Sequence, residues 1–123
     1  MIDYGYIKSK NQNTLQSVKN HKKNNLLNNL GKADITSHIN FELLKEFFLK
    51  NNLEVKKILP QHKFLTNMGI IERAKIIGKK MKFRDQSNLY LRLRRLLDIK
   101  LMGELFKVIL ASKSKSNKFF GFN

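Results

Sequence analysis

Cysteine is absent from the 123 residues, so neither a disulfide nor a thiolate zinc site can form. That absence fits a reducing compartment. The three histidines, His21, His38 and His62, are scattered, and a metal site would have to draw carboxylates from a distance. None is expected. Long hydrophobic runs are missing too. No stretch reaches the ~20 apolar residues of a membrane span, and the start, Met-Ile-Asp-Tyr-Gly, lacks the basic-then-apolar pattern of a secretory signal. The six glycines stand alone at positions 5, 31, 69, 78, 103 and 121, so no Gly-rich loop is available to cradle a phosphate or nucleotide. No Gly-x-Ser-x-Gly turn supports hydrolase chemistry. Acidic residues are scarce, nine against 25 Lys and Arg, which gives a net charge of +16. A leaderless, cysteine-free chain rich in Lys and Asn suggests a cytoplasmic protein, with the mitochondrial matrix as the alternative.

The positive charge has three readings. One is a polyanion-binding face, with Lys79, Lys80, Lys82, Arg84, Arg92, Arg94 and Arg95 as its members, though no RNA-binding signature accompanies them. Another is codon bias, because Lys far outnumbers Arg and the cations are spread along the chain. The third is that a further part of a larger protein balances the charge. The length suffices for one domain with a modest core.

Ile2-Asp-Tyr-Gly-Tyr6 reads as the end of a strand entering a turn. An Asp at the carboxyl end of an α/β strand lies where such folds place ligands. Residues 7–32 are polar, with Thr14 to Val18 as a short turn of helix and His21 as a solvated loop residue. Asp34-Ile-Thr-Ser-His-Ile-Asn-Phe41 crowds Asp, Thr, Ser, His and Asn into the opening of a helix. Such side chains cap free backbone N–H groups, and a histidine beside a carboxylate also suits proton handling. The sequence alone leaves both roles open.

Residues 41–52 have helical spacing, with Phe41, Leu44 and Phe48 on one stripe. Residues 53–59 read as a strand closed by Pro60, which suggests a βαβ unit with the Ile2 strand. A second helix is expected over 66–77, a charged connection over 79–88 and a third helix over 89–101. The nearly uniform apolar run 105–111 reads as a strand buried on both faces. Residues 112–123 read as a basic, flexible tail whose Phe119, Phe120 and Phe122 could dock on a neighbour.

In this order the residues resemble the C-terminal part of the MidA-type family, which includes the mitochondrial complex I assembly factor 7 protein arginine methyltransferases. The resemblance is carried by Ile2-Asp-Tyr-Gly-Tyr6, Thr14-Leu-Gln16 and His21…Gly31-x-x-Asp34. It continues with Asp34 to Phe41, Gln61-x-x-Phe-Leu65, Gly69-Ile70 and Met102-Gly-Glu-Leu-Phe-Lys-Val108. The family's Asp-Pro-Leu is missing between His21 and Gly31, and Asn40 stands where the family has Asp.

The resemblance implies an α/β fold, the C-terminal portion of a Rossmann-like class I methyltransferase sheet. Residues 2–5 would end the fifth strand, 53–59 would form the sixth, and 105–111 would be an antiparallel last strand inserted between them. Residues 1–111 would then be the substrate-side part of the domain, with an unpaired sheet edge at Ile2. The resemblance further implies S-adenosylmethionine as cofactor, held by a separate N-terminal chain and not by this one alone, and arginine in a protein as substrate. On this reading the chain is a fragment or split half, inactive alone. His38 and Asp34 are the candidate catalytic residues, with Asp3, Tyr4 and Gln61 placed at the substrate. The alternatives are a small basic module binding RNA or another polyanion, and a degenerate gene product.

Overall fold

The computed structural model describes residues 1–8, 13–113 and 118–122. Its centre is the apolar strand β7 (Phe106–Ser112), where the consecutive residues Lys107, Val108 and Ile109 are all buried. A strand buried on both faces needs neighbours on both edges, and β7 has them. It runs antiparallel between β1 (Ile2–Tyr6) and β6 (Glu54–Pro60), with Ile2 and Leu59 both opposite Val108. The pairing extends to the amino terminus, where Met1 and Ile109 exchange two hydrogen bonds of 3.0 Å. The expected insertion of the last strand between the other two is therefore present.

The sheet has four strands. β5 (Ile39–Asn40) joins the outer side of β1 in parallel, with Gly5 opposite Ile39 and Tyr6 opposite Asn40. The edge expected to be bare is thus covered at its carboxyl end, while Ile2, Asp3 and Tyr4 pair on the β7 side. β5 can come this close because Gly5 has no side chain. A Cβ there would lie 2.2 Å from the Ile39 carbonyl oxygen and 2.8 Å from the Phe41 ring.

Helix α1 (Phe41–Lys50) follows at once. Asn40 is its cap, and its Oδ1 accepts from the backbone N–H groups of Glu42 and Leu43 at 3.1 and 3.2 Å. Phe41, fully buried, pins the start of the helix on β1. Its amphipathic stripe is as the spacing predicts, but Leu43 and Phe47 remain 63% and 58% exposed.

The segment read as loop folds into a second, antiparallel sheet of β2 (Gln16–Lys19), β3 (Lys22–Asn24) and β4 (Asp34–Thr36), in the order β3-β2-β4. The turn of helix expected over residues 14–18 is therefore a strand. Its hairpin turns on Asn20 and His21, both at positive φ (50° and 61°), the geometry whose twist suits a two-residue connection. Polar strands on a small sheet carry little periodicity, which is why this sheet escapes a reading based on apolar alternation.

Beyond β6, the helix expected over 66–77 is two helices. They are α2 (Gln61–Asn67) and α3 (Ile70–Gly78), broken at Gly69, whose φ of 76° no helix interior can hold. The third helix is α4 (Phe83–Leu97), which starts inside the expected connection and stops before 101. The short α5 (Met102–Leu105) then leads into β7. Of the tail, Phe122 packs against Phe64 with ring centroids 5.2 Å apart, and the Gly121 carbonyl accepts from Asn67 at 3.0 Å. Phe119 and Phe122 thus lie on their own chain, and Phe120 is 89% exposed. The remainder of the expected tail, residues 114–117 and 123, falls outside the described residues.

Candidate functional site

Because β1 and β6 both oppose β7, they are parallel to each other and end at the same margin of the sheet. Side chains gather outside that margin, as they do outside the carboxyl ends of strands in open α/β sheets. A cleft of about 620 Å³ lies there, and Tyr6, Thr14, His38, Glu104 and Lys107 are among the residues lining it. On its other side His38 borders a smaller cavity of about 390 Å³, shared with residues 13–16 and Lys23. His38 therefore stands between the end of β1 and the small sheet.

The structure brings two of the predicted residues together. The His38 ring meets Tyr4 edge-on, with centroids 5.6 Å apart, and Tyr4 makes a similar contact at 5.5 Å with Phe106 of β7. The His38 backbone N–H donates to Thr14 Oγ1 at 3.1 Å, which fixes the chain just before β5. Tyr4 thus lies between the imidazole and the Phe106 ring.

The other predicted residues lie elsewhere. Asp3 Oδ1 accepts from the Tyr4 backbone N–H at 2.8 Å, a local bond within β1. Asp34 sits exposed on β4, opposite Val18 of β2, and its neighbours are those of the small sheet. Gln61 is buried, and its Nε2 donates to the Leu96 carbonyl at 3.0 Å, tying α2 to α4.

A group that sequence reasoning did not single out lies at the start of β7. Lys107 is only 6% exposed, and its ammonium donates to both the backbone carbonyl and, at 2.8 Å, the Oε1 of Glu104. A buried cation needs such a partner, because its desolvation is otherwise uncompensated. The second Glu104 oxygen lies 3.7 Å from His62 Nδ1, which is itself 3.1 Å from the Gly103 carbonyl. A carbonyl can only accept, so Nδ1 carries the proton in that bond. The sequence did hold a signal: Lys107 is the one charged residue in a nearly uniformly apolar strand.

Gly103 makes this turn possible. A Cβ there would lie 2.4 Å from the Leu97 carbonyl oxygen. Among the described residues, no group of three His, Asp or Glu side chains could hold a metal ion, and no helix is long and apolar enough to cross a membrane. Gly5, Gly103 and Gly121 are each closed off by protein atoms within 3 Å of where a Cβ would stand, and Gly31, Gly69 and Gly78 are separate single positions.

Residues 1–87 match the model of an S-adenosyl-L-methionine-dependent methyltransferase family. The chain is 31% identical over 86 residues to the mitochondrial protein arginine methyltransferase NDUFAF7 homolog of Caenorhabditis elegans, covering 70% of this chain and 20% of that protein. It is 30% identical over 80 residues to mitochondrial protein arginine methyltransferase NDUFAF7 of Xenopus tropicalis, covering 65% of this chain and 18% of that protein. It thus spans about a fifth of the length of these curated relatives.

Among solved structures, an uncharacterized protein from Burkholderia thailandensis superposes with a TM-score of 0.77 at 25% identity, over 99% of this chain and 32% of its own. A member of the same superfamily from that organism, bound to S-adenosyl-homocysteine, superposes equally well over 31% of its length.

Proposed function

We propose that this chain, which belongs to the MidA-type family of S-adenosyl-L-methionine-dependent methyltransferases, is the acceptor-side part of a protein arginine methyltransferase and is inactive alone. The observation that carries this reading is the placement of His38 and Glu104 around one cleft at the carboxyl margin of the sheet. A guanidinium is planar and cationic, and a carboxylate is the group that holds it by paired hydrogen bonds. Glu104 brings a carboxylate to the cleft, its Oε1 engaged by Lys107 and its Oε2 the oxygen that can accept from a guanidinium, and the His38 imidazole can take the proton that a guanidinium nitrogen gives up. Tyr4 meets the ring of His38 edge-on. Asp3, Asp34 and Gln61 support the surrounding structure. The names of the curated relatives favour arginine as the acceptor, and they favour a mitochondrial over a cytoplasmic setting.

The cofactor belongs to a part of the fold outside these residues. Residues 2–4 of β1 pair on one side, towards β7, and next to them the outer side of α1 exposes Leu43 and Phe47 beside Ile39. An added parallel strand with an apolar cover would complete both. The test uses labelled S-adenosylmethionine and an arginine-rich protein. The 123-residue chain should neither bind the cofactor nor transfer methyl groups. Addition of the remaining portion of the Burkholderia fold should restore transfer, and Glu104→Gln should lower it again. Transfer by the isolated chain would refute the reading.

A further inference from the structure

We propose that the outward side of α4 is a binding surface for single-stranded RNA, a function separate from methyl transfer and independent of that reading. Leu89, Leu93, Leu96 and Leu97 turn towards the protein and are half-buried. The outward side carries Arg84, Arg94 and Arg95 interleaved with Phe83 and Leu91, 84% and 58% exposed, and Tyr90, 66% exposed, stands at its margin, where it also lines the groove between α3 and α4. At 3.6 residues per turn these six side chains fall within an arc of about 140° along a helix about 22 Å long.

Codon bias does not account for this arrangement. The chain has five arginines against twenty lysines, and four of the five lie on α4. Arginine offers a planar fork to phosphate and a flat face to a base, which lysine does not. Arg94 meets Asp98 at 3.6 Å but keeps 61% of its side chain exposed, so the contact leaves it accessible. Beyond Ser87 the helix also lies outside the stretch that the family model matches.

Charge complementarity calls for a polyanion, and the exposed rings narrow the choice. Bases stack on aromatic side chains while neighbouring cations neutralise the phosphates, a combination suited to single strands. A duplex keeps its base faces stacked and out of reach. A membrane-surface helix separates an apolar face from a basic one. On α4 the apolar stripe is half-buried and turned towards the protein, and the outward rings are mixed with charge.

The experiment is fluorescence anisotropy of the 123-residue chain with a labelled oligouridylate of about twelve nucleotides, in parallel with an RNA duplex and with phosphatidylcholine–phosphatidylserine vesicles. Replacing both rings (Phe83→Ala with Tyr90→Ala) should weaken oligouridylate binding about tenfold or more. Replacing Arg84, Arg94 and Arg95 by Gln should lower the slope of log affinity against log salt by about 2 between about 50 and 200 mM. A control removes the same charge from exposed positions elsewhere (Lys45→Gln, Lys50→Gln and Lys63→Gln) and should change affinity less than about twofold. All these positions are exposed, and unchanged circular dichroism will show that the fold is kept. Equal loss in the lysine control, no effect of removing the rings, or preference for the duplex or the vesicles would each overturn the proposal.

Discussion

Replacing Gly5 by Ala tests the central joint of the fold. The new methyl carbon would stand 2.2 Å from the Ile39 carbonyl oxygen and 2.8 and 2.9 Å from two carbons of the Phe41 ring. Neither obstacle can yield cheaply. The oxygen belongs to the backbone of β5, and Phe41 is fully buried at the start of α1. Overpacking of a filled core costs about 1–3 kcal/mol, and a collision with backbone belongs at the upper end, about 3 kcal/mol. For a chain of this size that corresponds to a drop of roughly 10 °C in Tm.

Gly31 supplies the comparison. It has open space around it but a φ of 74°, so an Ala there meets only the local cost of the left-handed conformation, about 1 kcal/mol. Urea and thermal unfolding of the two variants should therefore rank Gly5→Ala well below Gly31→Ala. If Gly5→Ala unfolds within about 0.5 kcal/mol of the parent chain, the close approach of β5 to β1 is not a constraint and the reasoning fails.

Asn40→Ala should cost about 1 kcal/mol by removing the acceptor for two N–H groups of α1, whereas Asn40→Asp should match or slightly exceed the parent chain. Chemical denaturation measures both. Gln61→Leu removes the bond to the Leu96 carbonyl and should destabilise by about 1–2 kcal/mol while leaving transfer by a complemented enzyme unchanged. A selective loss of transfer would instead place Gln61 at the substrate. Glu104→Gln leaves the buried Lys107 without its charged partner and should destabilise by about 1–3 kcal/mol, discounted because Glu104 is half exposed. Lys107→Met, which removes the charge itself, should cost less. The reverse order in urea melts would mean that the pair is not what holds Lys107 in place.

Legibility followed the apolar pattern. The run at 105–111 has no polar face, so it announced a strand covered on both sides. The stripe from Phe41 to Phe48 announced α1. The small sheet was illegible for the opposite reason: Gln16–Lys19 and Lys22–Asn24 are mostly polar, and what holds them is cross-strand pairing and a turn at Asn20 and His21. The break between α2 and α3 turns on one dihedral angle at Gly69, while the apolar spacing continues across it. In the site, the nearness of Tyr4 to His38 could not be read from positions 34 residues apart. Glu104 and Lys107 were visible as part of a motif, but not as an ion pair whose lysine is buried.

The sequence by itself determined the fold class, the family and the order of the main elements. Periodicity and ordered short motifs survive without knowledge of contacts. The tertiary structure decided which polar groups meet. It drew His38 to Tyr4 and Glu104 to Lys107, and it sent Asp34 to an exposed sheet and Gln61 to a helix joint. Burial along one element repeats with the backbone and is written locally. Contacts between elements depend on how several of them pack, and a close approach such as β5 over Gly5 exists only once both strands are in place.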